Sequence, residues 1–186
     1  MWRKKVWKFW IYEREKTPKR RFKPSATFSD IFIFDIHSIL INVAHSFGKI
    51  WIHSVWSTKG RAPLIEPSKE DIIYNLMKNE FLDQGCYVRI INGMPDHTHS
   101  LFLLNLKKSV SDVIKQVKGS SSHEVNGQNI IKAKFSWQTG FAAYSVSESS
   151  LEKVYQYIKN QKQHHRKMTF EKEYENLIRL HGIPLK

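Results

Sequence analysis

Met94-Pro95-Asp96-His97-Thr98-His99 runs directly into Ser100-Leu101-Phe102-Leu103-Leu104. The apolar run after the second histidine has the length of a strand, and Gly93–Asp96 ahead of it marks a turn. Residues two apart on a strand share a face. His97, His99, Leu101 and Leu103 therefore point one way, and Thr98, Phe102 and Leu104 the other. Both faces are largely apolar, as in a central strand covered on both sides. His-x-His is common on ordinary strands, but two imidazoles buried at the mouth of this one need partners. A bound cation with phosphate would supply them.

Outward from this strand the elements alternate. Lys49–Ser57, with Ile50, Ile52, Val55 and two tryptophans, predicts a first strand. Pro67–Gln84 has helical periodicity through Ile72, Ile73, Leu76, Met77 and Phe81, and stops at Gly85. Cys86–Ile91 predicts the second strand and His99–Leu106 the third. Ser109 is placed to cap a helix through Val110, Val113, Ile114 and Val117 that stops near Gly119. Phe141–Val146 predicts a fourth strand. Ser149 and Glu152 have capping-box spacing before a helix reaching about His165, and a last helix spans Phe170–Leu180. Strand–helix–strand–strand–helix–strand is the split βαβ order. It predicts an α+β fold of ferredoxin or RRM type: a four-stranded antiparallel sheet, two packing helices on one face, and C-terminal helices.

The helix after the fourth strand carries the second chemical signal, Tyr157-Ile158-Lys159-Asn160-Gln161. Leu151, Val154, Tyr155 and Ile158 form its core stripe. At about 100° per residue Tyr155 lies in that stripe, whereas Tyr157 and Gln161 border it on one side. Tyr155 is thus the packing tyrosine, and Tyr157 and Gln161 face a possible site. His165 continues their row and His164 lies beside it; both are expected at solvent or on phosphate. A free phenol is only about one part in a thousand ionised at neutral pH. It attacks a phosphodiester poorly unless a metal neutralises and orients the phosphate. Two neutral imidazoles and an amide oxygen suit a divalent ion, Mg²⁺ or Mn²⁺, and the two nitrogens lean towards Mn²⁺. The expected centre is Tyr157 as nucleophile with His97, His99 and Gln161 on the metal.

Composition narrows the partner. The chain has 186 residues, 41% of them hydrophobic, and a formal net charge of +13. One domain with a real core is expected, and the charge favours a polyanion such as nucleic acid. Nearly half of the excess falls in residues 1–42, where Trp2, Trp7 and Trp10 stand among Lys and Arg before Lys16-Thr17-Pro18-Lys19-Arg20-Arg21. That segment is expected to be an N-terminal extension, disordered or arising from mis-annotated upstream translation. The alternative is a basic arm on nucleic acid. The domain proper, 43–186, opens near Val43–Phe47. A single cysteine, Cys86, excludes an internal disulfide and suits a reducing compartment. Neither a secretory signal nor a membrane span is visible, because Ile31–Val43 is short and interrupted by Asp35, His37 and Asn42. A cytoplasmic protein is expected.

At these residues the chain resembles the HUH-type single-tyrosine transposases of the insertion-sequence 200/605 group, including the REP-associated tyrosine transposases. The resemblance covers about Ser46–His181. It rests on His53-Ser54-Val55-Trp56-Ser57-Thr58-Lys59-Gly60-Arg61, Pro95–His99, Val117-Lys118-Gly119-Ser120-Ser121-Ser122, Phe135-Ser136-Trp137-Gln138-Thr139-Gly140-Phe141, Tyr144–Ser147, and Tyr157–Gln161 with His164-His165. Between the histidines stands Thr98, where the family usually has a bulky apolar residue.

The resemblance implies a homodimer with sheets merged edge to edge, single-stranded DNA hairpins as substrate, a 5′-phosphotyrosine intermediate and a free 3′-OH. It also implies His97 and His99 as the metal pair, Gln161 as third ligand, and Tyr157 as a nucleophile supplied in cis or in trans. For DNA contacts the sequence offers Lys59 and Arg61 as a basic edge, and Lys118, Ser120 and Ser121 at a helix end. Trp137 is offered as a stacking platform, at even odds with core packing. His53 is expected to be structural. A domesticated relative, a relaxase- or Rep-like nickase with the same site, and a non-catalytic single-stranded nucleic-acid-binding module are the rival readings.

Overall fold

The computed structural model describes residues 48–182, and the expected N-terminal extension lies outside the described residues. Four strands, β1 (Trp51–Ser57), β2 (Tyr87–Met94), β3 (His97–Leu103) and β4 (Ala142–Val146), form one sheet in the order β2-β3-β1-β4. Every neighbouring pair is antiparallel. Among the described residues five α-helices accompany them: α1 (Glu70–Asp83), α2 (Val110–Gly127), α3 (Leu151–Lys159), α4 (Gln161–His164) and α5 (Phe170–Leu180). This is the α+β, split βαβ arrangement that the periodicities predict. No helix among the described residues is long and apolar enough to cross a membrane.

The strand alternation divides the core between the two sheet faces. Ile52, Trp56 and Phe102 join Ile73, Met77 and Phe81 of α1 and Val113, Ile114 and Val117 of α2 in the larger core cluster. Trp51 and Leu101 pack instead with Leu151 and Ile158 of α3, and Val55 and Tyr144 pack with Leu177 of α5. His97 and His99 share the face of Leu101 and so meet the C-terminal helices rather than α1 and α2.

The hairpin that carries the histidines is tighter than its residues suggest. β2 continues past Ile91 to Met94, and β3 starts at His97 and ends at Leu103, so only Pro95 and Asp96 lie between the strands. Pairing of Asn92, Gly93 and Met94 with His99, Thr98 and His97 gives these backbone groups ladder partners. A Cβ on Gly93 would lie 2.2 Å from the His97 carbonyl oxygen, so only glycine admits this approach. The turn is held from outside by the Thr58 N–H on the Asp96 carbonyl (2.9 Å) and the Ile65 N–H on the Pro95 carbonyl (2.8 Å).

Two helix boundaries correct the sequence reading. α2 does not stop near Gly119 but runs to Gly127. Its buried row Val113, Ile114, Val117 continues through Ser121 and Val125, and Gly119 faces open space. The roughly 1 kcal/mol that a helical glycine costs relative to alanine is small beside the burial of a further turn. The helix expected from Ser149 to His165 is divided. A 3₁₀ turn, Glu148–Ser150, precedes α3, and the chain leaves helical geometry at Asn160 before α4. Ser150 is then the N-cap, its side chain making no capping bond, and Ser149 pairs with Ser147 Oγ instead. The 3₁₀ turn shifts the helix start by one residue, so Ser149 and Glu152 no longer span N-cap to N3 and the capping box does not form.

Candidate active site

His97 and His99 are buried on β3, each gripped at Nδ1. His97 Nδ1 lies 2.8 Å from Asp96 Oδ1, and His99 Nδ1 lies 3.0 Å from His53 Nε2. Burial alone would raise the Asp96 pKa, but bonds from His97 and from the Arg61 guanidinium bring it down to about 2. Asp96 is therefore an acceptor, and His97 donates through Nδ1, which leaves its lone pair on Nε2. His53 is held neutral, its pKa lowered to about 3 by burial and then by the neighbouring His99. Burial also lowers the pKa of His99, against the pull of Glu173.

The Nε2 atoms of His97 and His99 each lie 3.6 Å from Glu173 Oε2. One ligand atom from each of these three residues lies within 4.8 Å of the others, so they could hold a single metal ion. Two buried atoms support that fit. His99 Nε2 and Gln161 Oε1 have no hydrogen-bond partner, an unfavourable arrangement that a cation between them would relieve.

Glu173 joins this cluster to the tyrosine. Its Oε1 accepts bonds from the Tyr157 hydroxyl and from Gln161 Nε2, the latter at 3.0 Å. Burial would raise the Glu173 pKa, but the His99 imidazole close by and the bonds from Tyr157 and Gln161 hold it well below the carboxylate range. Burial, and then the contact with Glu173, pushes the Tyr157 pKa upwards, so the phenol is protonated at neutral pH. Tyr157 lies over His99 of its own chain, ring centroids 5.8 Å apart. Asn92, opposite His99 in the β2–β3 ladder, donates through Nδ2 to the carbonyls of Ile158 (2.9 Å) and Lys159 (3.0 Å). It thereby satisfies the end of α3 and fixes the break that separates Tyr157 from Gln161.

Glu173, Asp96, His53 and Asn92 are the residues that sequence reasoning missed or left structural. A signal for Glu173 was available. It falls on the buried stripe of α5 with Leu177, and a charge on an apolar stripe needs a partner.

The other expected site residues divide sharply. His165 is not at solvent, which corrects the expectation. Its Nε2 lies 3.0 Å from Glu173 Oε2 and 3.1 Å from His97 Nε2, and its Nδ1 lies 3.0 Å from the Met168 carbonyl oxygen. His164 Nε2 lies 3.6 Å from Glu173 Oε1. Arg61 donates to Asp96 Oδ2 (2.6 Å) and to Glu171, and stacks 4.2 Å over Phe170. Lys59 is exposed nearby.

Lys118, Ser120, Ser121 and Trp137 belong to α2 and the loop after it and do not enter the cluster. Ser121 is withdrawn from any DNA contact, being wholly buried inside α2 and accepting the Trp137 indole N–H at 3.0 Å. Trp137 packs against Trp56 and Phe135, the core alternative of its two expected roles. Lys118 Nζ is engaged by the Gln138 and Gly140 carbonyls, both at 2.6 Å, and Ser120 takes a bond from Gln116. A cleft of about 520 Å³ opens beside His97, lined in part by Arg61, Arg166, Lys167 and Phe170.

Fold and site together define an α+β domain that gathers strand histidines, a glutamate and a helix tyrosine into one buried cluster. Residues 46–161 match the family described as "Transposase IS200 like", so the chain belongs to the IS200-like transposases. It is 24% identical over 114 residues to the ISDra2 transposase TnpA of Deinococcus radiodurans, a match covering 59% of this chain and 81% of that one. A crystallised transposase candidate from Deinococcus radiodurans R1 shares the fold. It has a TM-score of 0.51 at 23% identity and covers 62% of this chain and 93% of that one. A REP-associated tyrosine transposase bound to a REP hairpin gives a TM-score of 0.49 at 14% identity, covering 80% of this chain and 74% of that chain. Glu173 and α5 lie beyond the segment matched to the family.

Proposed function

We propose that this transposase cleaves and rejoins single-stranded DNA hairpin ends through a 5′-phosphotyrosine on Tyr157, with a divalent metal held by His97 and His99. Glu173 and Gln161 are the further ligands on offer. The observation that carries the reading is the convergence of the Tyr157 hydroxyl, Gln161 and both imidazoles on the one buried carboxylate of Glu173.

When bound, Mg²⁺ or Mn²⁺ would supply neutralisation of the scissile phosphate. The chain's residues do the rest. Tyr157 attacks phosphorus, its O–P bond forms as the bond to the 3′-oxygen breaks, and a 3′-OH is left on the departing strand. The phenolic proton already points at Glu173 Oε1. The phosphotyrosine conserves the bond energy, so a 3′-OH can reverse the step without ATP. Tyr157 rests against His99 within the one chain, and the reading holds whether the tyrosine is supplied in cis or in trans. The cleft beside His97, with Arg166 and Lys167 on its rim, is the entry offered to a phosphate backbone. A homodimer is part of the proposal and rests on the family resemblance.

The test is a denaturing gel of protein mixed with end-labelled single-stranded hairpin DNA and Mn²⁺ or Mg²⁺. A metal-dependent covalent adduct is expected from the native protein and is lost in Tyr157→Phe, which still binds DNA. An adduct formed by Tyr157→Phe sinks the assignment. No adduct with the DNA flanking the gene would favour a binding module.

A further inference from the structure

We propose that His53 is a positioning residue for the metal site: it receives the Nδ1 proton of His99 and so holds the His99 Nε2 lone pair towards the cluster. The inference rests on the metal reading above and deepens it.

His53 stands on β1 directly opposite Leu101 of β3 and Tyr144 of β4, one diagonal step from His99 on the same sheet face. Its Nε2 is 3.0 Å from His99 Nδ1, the rings are 21° from parallel, and both side chains are buried. A hydrogen bond between two neutral imidazoles has one donor and one acceptor, so only two arrangements exist. With the proton on His53 Nε2, His99 would carry its own proton on Nε2. That N–H would have no acceptor, because Glu173 Oε2 is 3.6 Å away and outside hydrogen-bond range. With the proton on His99 Nδ1, the bond to His53 is made and Nε2 presents a free lone pair to a cation. The second arrangement leaves no unpaired donor on His99.

His97 shows the same design with another partner. Asp96 grips its Nδ1 at 2.8 Å and leaves Nε2 facing Glu173. The two imidazoles are thus oriented by separate elements, the turn for His97 and β1 for His99. A carboxylate at position 53 would do the same work but would bury a second charge close to Glu173, whereas a neutral imidazole does not.

The test measures Mn²⁺ affinity by electron paramagnetic resonance, with the metal-free melting temperature in parallel, for the full chain and for His53→Phe and His53→Gln. Phenylalanine keeps a ring but accepts no proton, and Gln restores an acceptor. His53→Phe is expected to weaken Mn²⁺ binding about 10–100-fold, with recovery in His53→Gln to within about threefold of the native value. Native affinity in His53→Phe, or equal loss in both variants, overturns the inference. If the native protein itself binds no Mn²⁺, the metal reading fails instead. Should His53→Phe not fold, long-range ¹H–¹⁵N spectra of the native protein with Mg²⁺ decide. A proton on His99 Nδ1 supports the assignment, and one on Nε2 refutes it.

Discussion

Replacing Asp96 by Asn should cost about 2 kcal/mol of stability at pH 7, and the cost should vanish in acid. Asp96 Oδ1 takes the His97 Nδ1 proton, and Oδ2 takes Arg61 Nε at 3.1 Å and Nη2 at 2.6 Å. An amide has one oxygen for these two sets of donors and turns its NH₂ towards the other. The carboxyl pKa is lowered from 3.8 to about 2, and the side chain is 21% exposed, little enough for solvent screening to be minor. At 1.36 kcal/mol per unit this corresponds to about 2 kcal/mol. Because the folded pKa lies below the unfolded one, the unfolded chain takes up the proton first. The contribution is complete above about pH 5 and fades between about pH 4 and pH 2. Urea unfolding followed by tryptophan fluorescence from pH 2 to pH 7 reads it directly. The native and Asp96→Asn curves should converge at the acid end and differ by about 2 kcal/mol at pH 7. A difference below about 0.5 kcal/mol at pH 7, or one independent of pH, refutes the reasoning.

Two further predictions concern the site and the frame around it. Glu173→Gln should weaken Mn²⁺ binding by about tenfold or more in the same resonance titration, because it removes the anionic member of the cluster; unchanged affinity would leave Gln161 as the third ligand. Asn126→Ala should destabilise the domain by roughly 2–3 kcal/mol in urea unfolding. Asn126 Oδ1 accepts the Phe135 N–H and Nδ2 donates to the Phe135 carbonyl, both at 2.8 Å.

The strand count and the antiparallel sheet with its packing helices were legible in one dimension. They depend on period-two and 3.6-residue repeats, which local sequence sets. Tyr155 packs beside Arg89, and Tyr157 turns to the histidines. What periodicity could not show was termination. α2 outruns Gly119 because Ser121 and Val125 find core to bury, and the tyrosine helix breaks at Asn160, where Asn92 from another strand takes its last carbonyls.

The primary structure by itself determined the alternation of strands and helices, the two imidazoles on one strand face, and a tyrosine and an amide bordering the helix core. Tertiary structure alone decided what those groups meet. Glu173 follows Tyr157 by 16 residues and His53 precedes His99 by 46, and neither separation is a helical or strand repeat. They reach the site because α5 packs back on the sheet face and β1 lies beside β3. Hydrogen-bond partners of buried groups are chosen by three-dimensional proximity in a medium without water, and no local pattern records that choice.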